Sequence, residues 1–247
     1  MSEALTKYKT PLLWLAAGLL LTGLLGGLAL LILILNQVGL VDPVVQGSSW
    51  LLALPEGKAT WYITRSAGLV AYLLLWFATA WGLAVPSRIL NGVLHGSFTF
   101  EFHEFISLLA ISFTAVHMGV LLFDHYAPFT LVQIALPFLS DYRPFWTGIG
   151  ILSMYLVVLV TVTFYLRGRI GMKAFRAIHL LSLLGYLGAA LHGLYAGTDS
   201  ALPTVQWMYA GTFLTIVFLL TYWLVEQAMR KMPARRSREA AGPALKR

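Results

Sequence analysis

The sequence predicts an all-α integral membrane protein. Hydrophobic residues make up 59% of the 247 residues and charged residues only 11%, with a mean hydropathy of +0.78, which is far from the composition of soluble domains. Long segments such as LLWLAAGLLLTGLLGGLALLILIL are apolar on every face, whereas the strands of a transmembrane β-barrel alternate in hydrophobicity over about ten residues. Together these features predict a bundle of membrane-spanning helices in one domain.

Six segments have the roughly 20 mainly apolar residues that a spanning helix needs. They are residues 11–35, 61–85, 102–123, 145–166, 175–195 and 205–225. The predicted organisation is a short cytoplasmic N-terminus (1–10), a six-helix transmembrane domain (11–226) and a basic cytoplasmic tail (227–247). We expect the tail to be disordered and to contact anionic membrane lipids.

The first apolar segment follows Lys7 and Lys9, a basic flank that also precedes the apolar core of signal peptides. The segment is much longer than such a core and has no convincing cleavage site of small residues, so we expect it to be retained as helix one. The connection after it, residues 36–60, contains Asp-Pro and Gly-Ser-Ser and is predicted to be a loop. In the third connection, residues 124–144, the apolar stretch LVQIALPFL is too short to span.

Basic residues are concentrated at one side of the predicted bundle. Lys and Arg are retained in cytoplasmic loops, and here they cluster in the N-terminus, the connection RGRIGMK and the tail, whereas the other side has only Lys58, Arg65 and Arg143. Both termini are therefore predicted to be cytoplasmic, in a multi-pass protein of the cell membrane. The net charge of +7 largely reflects this asymmetry, so no nucleic-acid partner is expected.

The chain contains no cysteine, which excludes c-type heme attachment, iron–sulfur clusters, thiolate metal sites and disulfides. A cofactor must therefore be held by histidine or oxygen ligands. Predicted helix three carries His103 and His117, fourteen residues apart, and predicted helix five carries His179 and His192, thirteen residues apart. Histidines inside a bilayer are costly without partners, so two matched pairs point to a function.

Helices three and five run in the same direction, from the cytoplasm outwards, so their early histidines share one depth and their late histidines another. The two depths are about 20 Å apart at 1.5 Å per residue. Two pairs result, His103 with His179 and His117 with His192. Each pair can hold one b-type heme through its imidazole nitrogens, with one heme in each leaflet of a core about 30 Å thick.

Helical phase fits the histidine pair of helix three better than that of helix five. Fourteen residues return to within roughly 40° of the starting face, whereas thirteen leave His192 roughly 140° out of phase with His179 on an ideal helix. Helix five therefore needs local overwinding, tilt or different ligand rotamers, which Gly185 and Gly188 could allow.

A different explanation applies to any single buried histidine, namely a hydrogen bond between helices. Four histidines in register favour cofactor ligation over that explanation. His95 and His125 lie at loop or interfacial positions, and we expect them to be solvated polar residues.

The segments WYITRSAGLVAYLLLW, FHEFISLLAISFTAVHMGVLLFDHY and IHLLSLLGYLGAALHGLYAGTD resemble the ferric reductase-like transmembrane domain family. That family includes the membrane cores of ferric reductases and NADPH oxidases, and the heme-binding membrane subunit of the bacterial methionine sulfoxide reductase system. The resemblance covers helices two to five. It implies two hemes, an inner one held by His103 and His179 and an outer one held by His117 and His192.

Two departures from the family narrow the expected activity. Many members append a flavin and nicotinamide domain after the last helix, but here the sequence ends at residue 247, soon after Val225. We therefore expect an oxidoreductase component that does not take hydride from NADPH by itself. Leu121 stands where the NADPH oxidase branch tends to carry another histidine, which lowers the case for superoxide production.

Charged residues near the predicted hemes are candidate partners for the heme propionates, which need cations where they are buried. Arg65 is the strongest candidate, and its alternative is an arginine that extends to lipid phosphates. Glu101 and Glu104 flank His103, where they either orient its imidazole or mark the N-terminus of the helix.

The leading hypothesis is a transmembrane electron-transfer protein with two heme b cofactors. Electrons would pass from a cytoplasmic or membrane donor, a flavoprotein or a quinol, to an external acceptor such as a ferric chelate, oxygen or a reductase subunit. A flavin or quinone would enter through such a partner. By resemblance the chain is the membrane subunit of a reductase system; a ferric reductase component with a separate dehydrogenase is the alternative. From another class, a non-redox six-helix transporter or assembly factor stays open.

Overall fold

The computed structural model describes residues 59–87, 96–124 and 129–240. In these ranges the chain forms helices and no strand, so the all-α prediction is confirmed for this part. Five of its helices are long and apolar enough to cross a membrane. The first predicted span, residues 11–35, lies outside the described residues, so the count of six spans and the cytoplasmic placement of the termini stay predictions.

The helices of the described part are numbered here in chain order. They are α1 (Ala59–Ala84), α2 (Gly96–Leu121), α3 (Leu131–Ala135), α4 (Pro144–Ile170), α5 (Met172–His179), α6 (Ser182–Ala196) and α7 (Pro203–Ala240), with one 3-10 turn at Asp199–Ala201. The apolar stretch of the third connection contains only the five-residue helix α3, so the prediction that it does not span is confirmed.

Close packing joins α1 with α2 and α4 with α6, while α1 also contacts α6 and α7. Both tight pairs are antiparallel. Gly68 and Gly82 of α1 lie against His117 and His103 of α2 in reversed order, and Gly150 and Val157 of α4 lie against His192 and Gly185 of α6 in reversed order. The histidine-bearing helices α2 and α6 are not among the closely packed pairs. A space between them is therefore available to a ligand.

The predicted span 175–195 consists of two helices, because the chain tightens directly after His179. Leu181 donates to the carbonyl of Ile178 (2.9 Å), and Leu183 donates to that of Leu180 (3.2 Å). Bonds to the third preceding residue belong to the 3-10 helix, which turns about 120° per residue rather than about 100°. Of the three alternatives expected for this helix, namely local overwinding, tilt or different ligand rotamers, the structure shows local overwinding, and it lies at Leu180 and Leu181.

Gly185 and Gly188 serve helix packing instead. A Cβ at Gly188 would overlap the hydroxyl of Ser153, and a Cβ at Gly185 would lie 3.0 Å from a methyl carbon of Val157. Small residues let membrane helices approach closely where no hydrophobic force drives them together. The two glycines therefore set the distance between α4 and α6.

A buried cluster of hydroxyl groups attaches α7 to the rest of the bundle. The Tyr72 hydroxyl lies 2.5 Å from Thr212 Oγ1 and 3.3 Å from the Tyr186 hydroxyl, and the Tyr72 and Tyr209 rings are 4.7 Å apart. Polar groups buried among apolar helices favour the arrangement in which they bond to each other. This cluster fixes α7 against α1 and α6.

Helix α7 extends to Ala240, beyond residue 227, where the sequence-based prediction places a disordered tail. The segment EQAMRKMPARRSREA is rich in residues with high helix propensity, which favours a helix beyond the apolar part of the last span, although Pro233 within it opposes one.

Replacing Tyr72 with Phe removes the hydroxyl at the centre of the cluster and keeps the ring. We expect the free energy of unfolding to fall by about 1 kcal/mol, the usual size of a hydrogen bond between membrane helices, when it is measured by detergent-induced unfolding in mixed micelles. Tyr222→Phe, at an exposed position of α7, is the matched control and should leave stability unchanged. Equal stability of the Tyr72 variant and the wild type would contradict the role of the cluster.

Candidate cofactor site

The four histidines of α2, α5 and α6 meet in two pairs across the space between the helices. The ring centres of His103 and His179 are 6.1 Å apart, and those of His117 and His192 are 6.3 Å apart. The first pair lies near the end of the bundle that carries the basic residues of α4 and α5, which we call the basic end. The second pair lies toward the opposite end, which we call the cavity end.

The separation of the rings distinguishes two kinds of histidine pair. Two imidazoles that hydrogen-bond directly have ring centres about 5.2 Å apart, given a nitrogen–nitrogen distance of about 2.9 Å. Two imidazoles on opposite sides of one metal ion have ring centres about 6.3 Å apart, given metal–nitrogen bonds of about 2.0 Å. The observed 6.1 and 6.3 Å are too long for the first arrangement and close to the second, and they also lie in the range of about 4.5–7 Å that edge-to-face ring contacts occupy.

The pair at the cavity end is also held in one tautomer. His117 Nδ1 lies 2.8 Å from the Thr64 carbonyl of α1, and His192 Nδ1 lies 2.9 Å from the Trp146 carbonyl of α4. Because a carbonyl oxygen only accepts, each Nδ1 carries the proton and each Nε2 keeps a free lone pair. A histidine ligand that donates its other N–H to a carbonyl is the usual arrangement around bound metals.

At the basic end the anchoring is weaker. Nδ1 of His103 and Nδ1 of His179 are buried without a hydrogen-bond partner. The His179 ring lies 5.2 Å from that of Phe175, so its surroundings are mostly apolar.

Three glycines of α1 and α4 lie directly against imidazole rings. They are Gly68 against His117, Gly82 against His103, and Gly150 against His192. A Cβ at Gly68 would be 2.9 Å from the nearest ring atom, and one at Gly150 only 2.6 Å, both inside ordinary contact distance. The rings therefore require the absence of side chains at these positions.

These glycines were missed by reasoning from the sequence, although a signal for them exists. Gly68 and Gly82 are fourteen residues apart, the same spacing as that of His103 and His117. Equal spacings on two neighbouring antiparallel helices place each glycine opposite one histidine. The pattern is informative only when the pairing of α1 with α2 is known.

A cavity of about 560 Å³ opens beside His117 and His192, within the range of about 300–1,000 Å³ that is usual for cofactor sites. Its wall is mostly apolar, with aliphatic residues of α1, α2 and α4. Its charged lining residues in the described part are Arg65, Asp124 and Asp199. The cavity thus combines two imidazoles, an apolar body and charged residues in its lining.

Comparisons with protein-family models, curated proteins and solved structures find no match. The resemblance of the histidine motif to a known family therefore stays an expectation. Among the described residues, no group of three or more His, Cys, Asp or Glu side chains could hold a metal ion by itself. Two imidazoles per site are what a heme needs, since its macrocycle supplies the other four nitrogens.

Arg65 lies one helical turn from Gly68, at the mouth of the cavity, and it has a partner within the protein. Its Nε donates to Asp199 Oδ2 at 2.7 Å, and a second contact joins Nη2 to Oδ1. The guanidinium also lies over the Trp61 ring, 3.8 Å from its centre. Arg65, predicted as a partner of a heme propionate, lines the cavity, and that role stays a prediction; reasoning from the sequence missed Asp199, which follows α6.

Other predicted polar residues have more ordinary roles or lie outside the described part. The Tyr165 hydroxyl donates to Glu104 at 2.7 Å, which joins α4 to α2. Because α2 begins at Gly96 and has no acidic residue in its first turn, the prediction that Glu101 and Glu104 mark a helix N-terminus is wrong. His95 and His125 lie outside the described residues.

Replacing Gly150 with Ala places a methyl group on the His192 ring. We expect a loss of about 1–3 kcal/mol in the free energy of unfolding, the usual cost of overpacking, because three ring atoms lie within 3.0 Å of the new Cβ. The matched control is Gly119→Ala, where no atom lies within 4 Å, and there alanine should stabilise the helix by up to about 1 kcal/mol. Effects of the same sign in both variants, measured in mixed micelles, would refute the close contact.

Proposed function

We propose that the chain is a membrane electron-transfer protein that binds two b-type hemes. His103 and His179 hold one heme at the basic end, and His117 and His192 hold the other beside the cavity. The observation that carries this proposal is the separation of the paired rings, 6.1 and 6.3 Å, which suits two imidazoles on one iron and is too long for a direct hydrogen bond.

Heme held by these histidine pairs would supply a one-electron carrier at each site. The protein residues orient and protect these groups. The carbonyls of Thr64 and Trp146 keep the Nδ1 protons of His117 and His192 in place, so that Nε2 is the ligating atom. Because two histidines would hold each group, a substrate would exchange electrons with it without binding to the metal.

The two depths of the histidines support transfer across the bilayer. Fourteen residues of α2 separate His103 from His117, which corresponds to about 20 Å along a helix. Arg169, Lys173 and Arg176 are exposed at the basic end, and the positive-inside rule favours the cytoplasm for that side. We infer a path from a cytoplasmic flavoprotein or a quinol to an acceptor on the other side, as in the membrane subunit of a reductase system.

The proposal predicts two hemes per chain, and it predicts that one heme is lost when a histidine of either pair is replaced. We expect the purified full-length protein, produced in heme-replete cells, to show b-type bands after dithionite reduction and two hemes per chain in a pyridine hemochrome assay. His103→Ala and His117→Ala should each retain about one heme, because each removes one axial ligand. His95→Ala, outside the four ligands, is the matched control and should retain two.

Folded protein without heme would overturn the proposal and would favour a non-redox transporter or assembly factor instead. Loss of both hemes from one folded single variant would contradict two independent sites. Retention of both hemes in His117→Ala would exclude that residue as a ligand.

A further inference from the structure

Arg65 and Asp199 form an ion pair at the mouth of the cavity, and the proposed function does not yet give this pair a role. Arg65 and Asp199 both line the cavity that His117 and His192 line, and their side chains are only 22% and 21% exposed. Most of the remaining wall is apolar. Charges in such surroundings are screened less than charges in bulk water, so their fields reach groups bound in the cavity.

The position of Asp199 is fixed by several contacts at the end of α6. Asp199 begins a 3-10 turn in which its carbonyl accepts from Leu202 at 2.9 Å, and Ser200 bonds back to Gly197 at 2.8 Å. Tyr142 donates to the carbonyl of Ala196 at 3.0 Å. The carboxylate is therefore held at the mouth by the backbone as well as by Arg65.

The two-point contact between Arg65 and Asp199 cancels the charge of the guanidinium at short range. A lone arginine at this place would favour an electron on a nearby redox centre, because a positive charge stabilises the reduced form. The paired carboxylate opposes that effect. Net charge around a heme is one of the main determinants of its reduction potential.

We propose that Asp199 sets the reduction potential of the cavity-end heme by neutralising Arg65. The proposal rests on the proposed function, since it requires a redox centre between His117 and His192. In this role Asp199 touches neither the iron nor a substrate. It keeps the potential of the cavity-end centre lower than Arg65 alone would set it.

Redox titration of the purified full-length protein tests the proposal, with the heme absorption bands as the readout. The His103→Ala variant, which retains the cavity-end heme, assigns the two midpoint potentials. Asp199→Asn should raise the midpoint of the cavity-end heme and leave that of the basic-end heme unchanged. Asp141→Asn is the matched control. Asp141 is an exposed aspartate between α3 and α4 that accepts a hydrogen bond from Gln133, and it does not line the cavity.

A double variant separates the effect of charge from that of tethering. Arg65→Gln combined with Asp199→Asn removes both charges, so its midpoint should return toward the wild-type value although the ion pair is broken. Asp199→Glu keeps the charge and should stay close to the wild type. If the ion pair acted only by holding the two segments together, the midpoint potential of the double variant would shift at least as far as that of Asp199→Asn.

Several outcomes would overturn the proposal. One is an unchanged midpoint potential of the cavity-end heme in Asp199→Asn, and another is an equal shift of that potential in Asp141→Asn. The third is a double variant whose midpoint potential does not return toward the wild-type value. Each of these leaves the two-heme function intact. Protein without heme would overturn the proposed function and this inference together.

Discussion

The separation of the paired imidazole rings is the constraint on which the site depends. An apolar membrane interior penalises polar groups without partners, and two histidines of neighbouring helices would ordinarily relieve that penalty by bonding to each other. At 6.1 and 6.3 Å between ring centres they do not reach each other. The arrangement therefore leaves the imidazoles of each pair unbonded to each other, and the proposed heme iron would satisfy them.

The helices without histidine maintain this separation. Helix α1 presents Gly68 and Gly82 to the rings of α2, and α4 presents Gly150 to the ring of His192. The same two helices supply the carbonyls of Thr64 and Trp146 as acceptors. Position and tautomer of the cavity-end ligands thus follow from the packing of α1 on α2 and of α4 on α6, so the fold and the chemistry share one set of contacts.

Hydropathy and spacing predict much of this arrangement. Long apolar runs predict the spans because a bilayer sets their length, and the regular rise of a helix places His103 level with His179 and His117 level with His192. The glycines that contact the imidazole rings and the role of Asp199 were not predicted, and the overwinding of helix five was expected near Gly185 and Gly188 rather than at Leu180. They depend on the register between helices and on hydrogen bonds specific to one turn, neither of which is visible in a local pattern of residues.

The most direct test of the central claim is the axial ligation of iron in the oxidised wild-type protein, measured by low-temperature electron paramagnetic resonance. Two imidazoles on each iron predict low-spin ferric signals that account for two hemes per chain, with no high-spin signal. The near-perpendicular planes of the paired rings, 69° and 78°, predict strongly anisotropic signals. A high-spin signal equivalent to one iron per chain would contradict the account, because it would show an iron that lacks one of its two histidines.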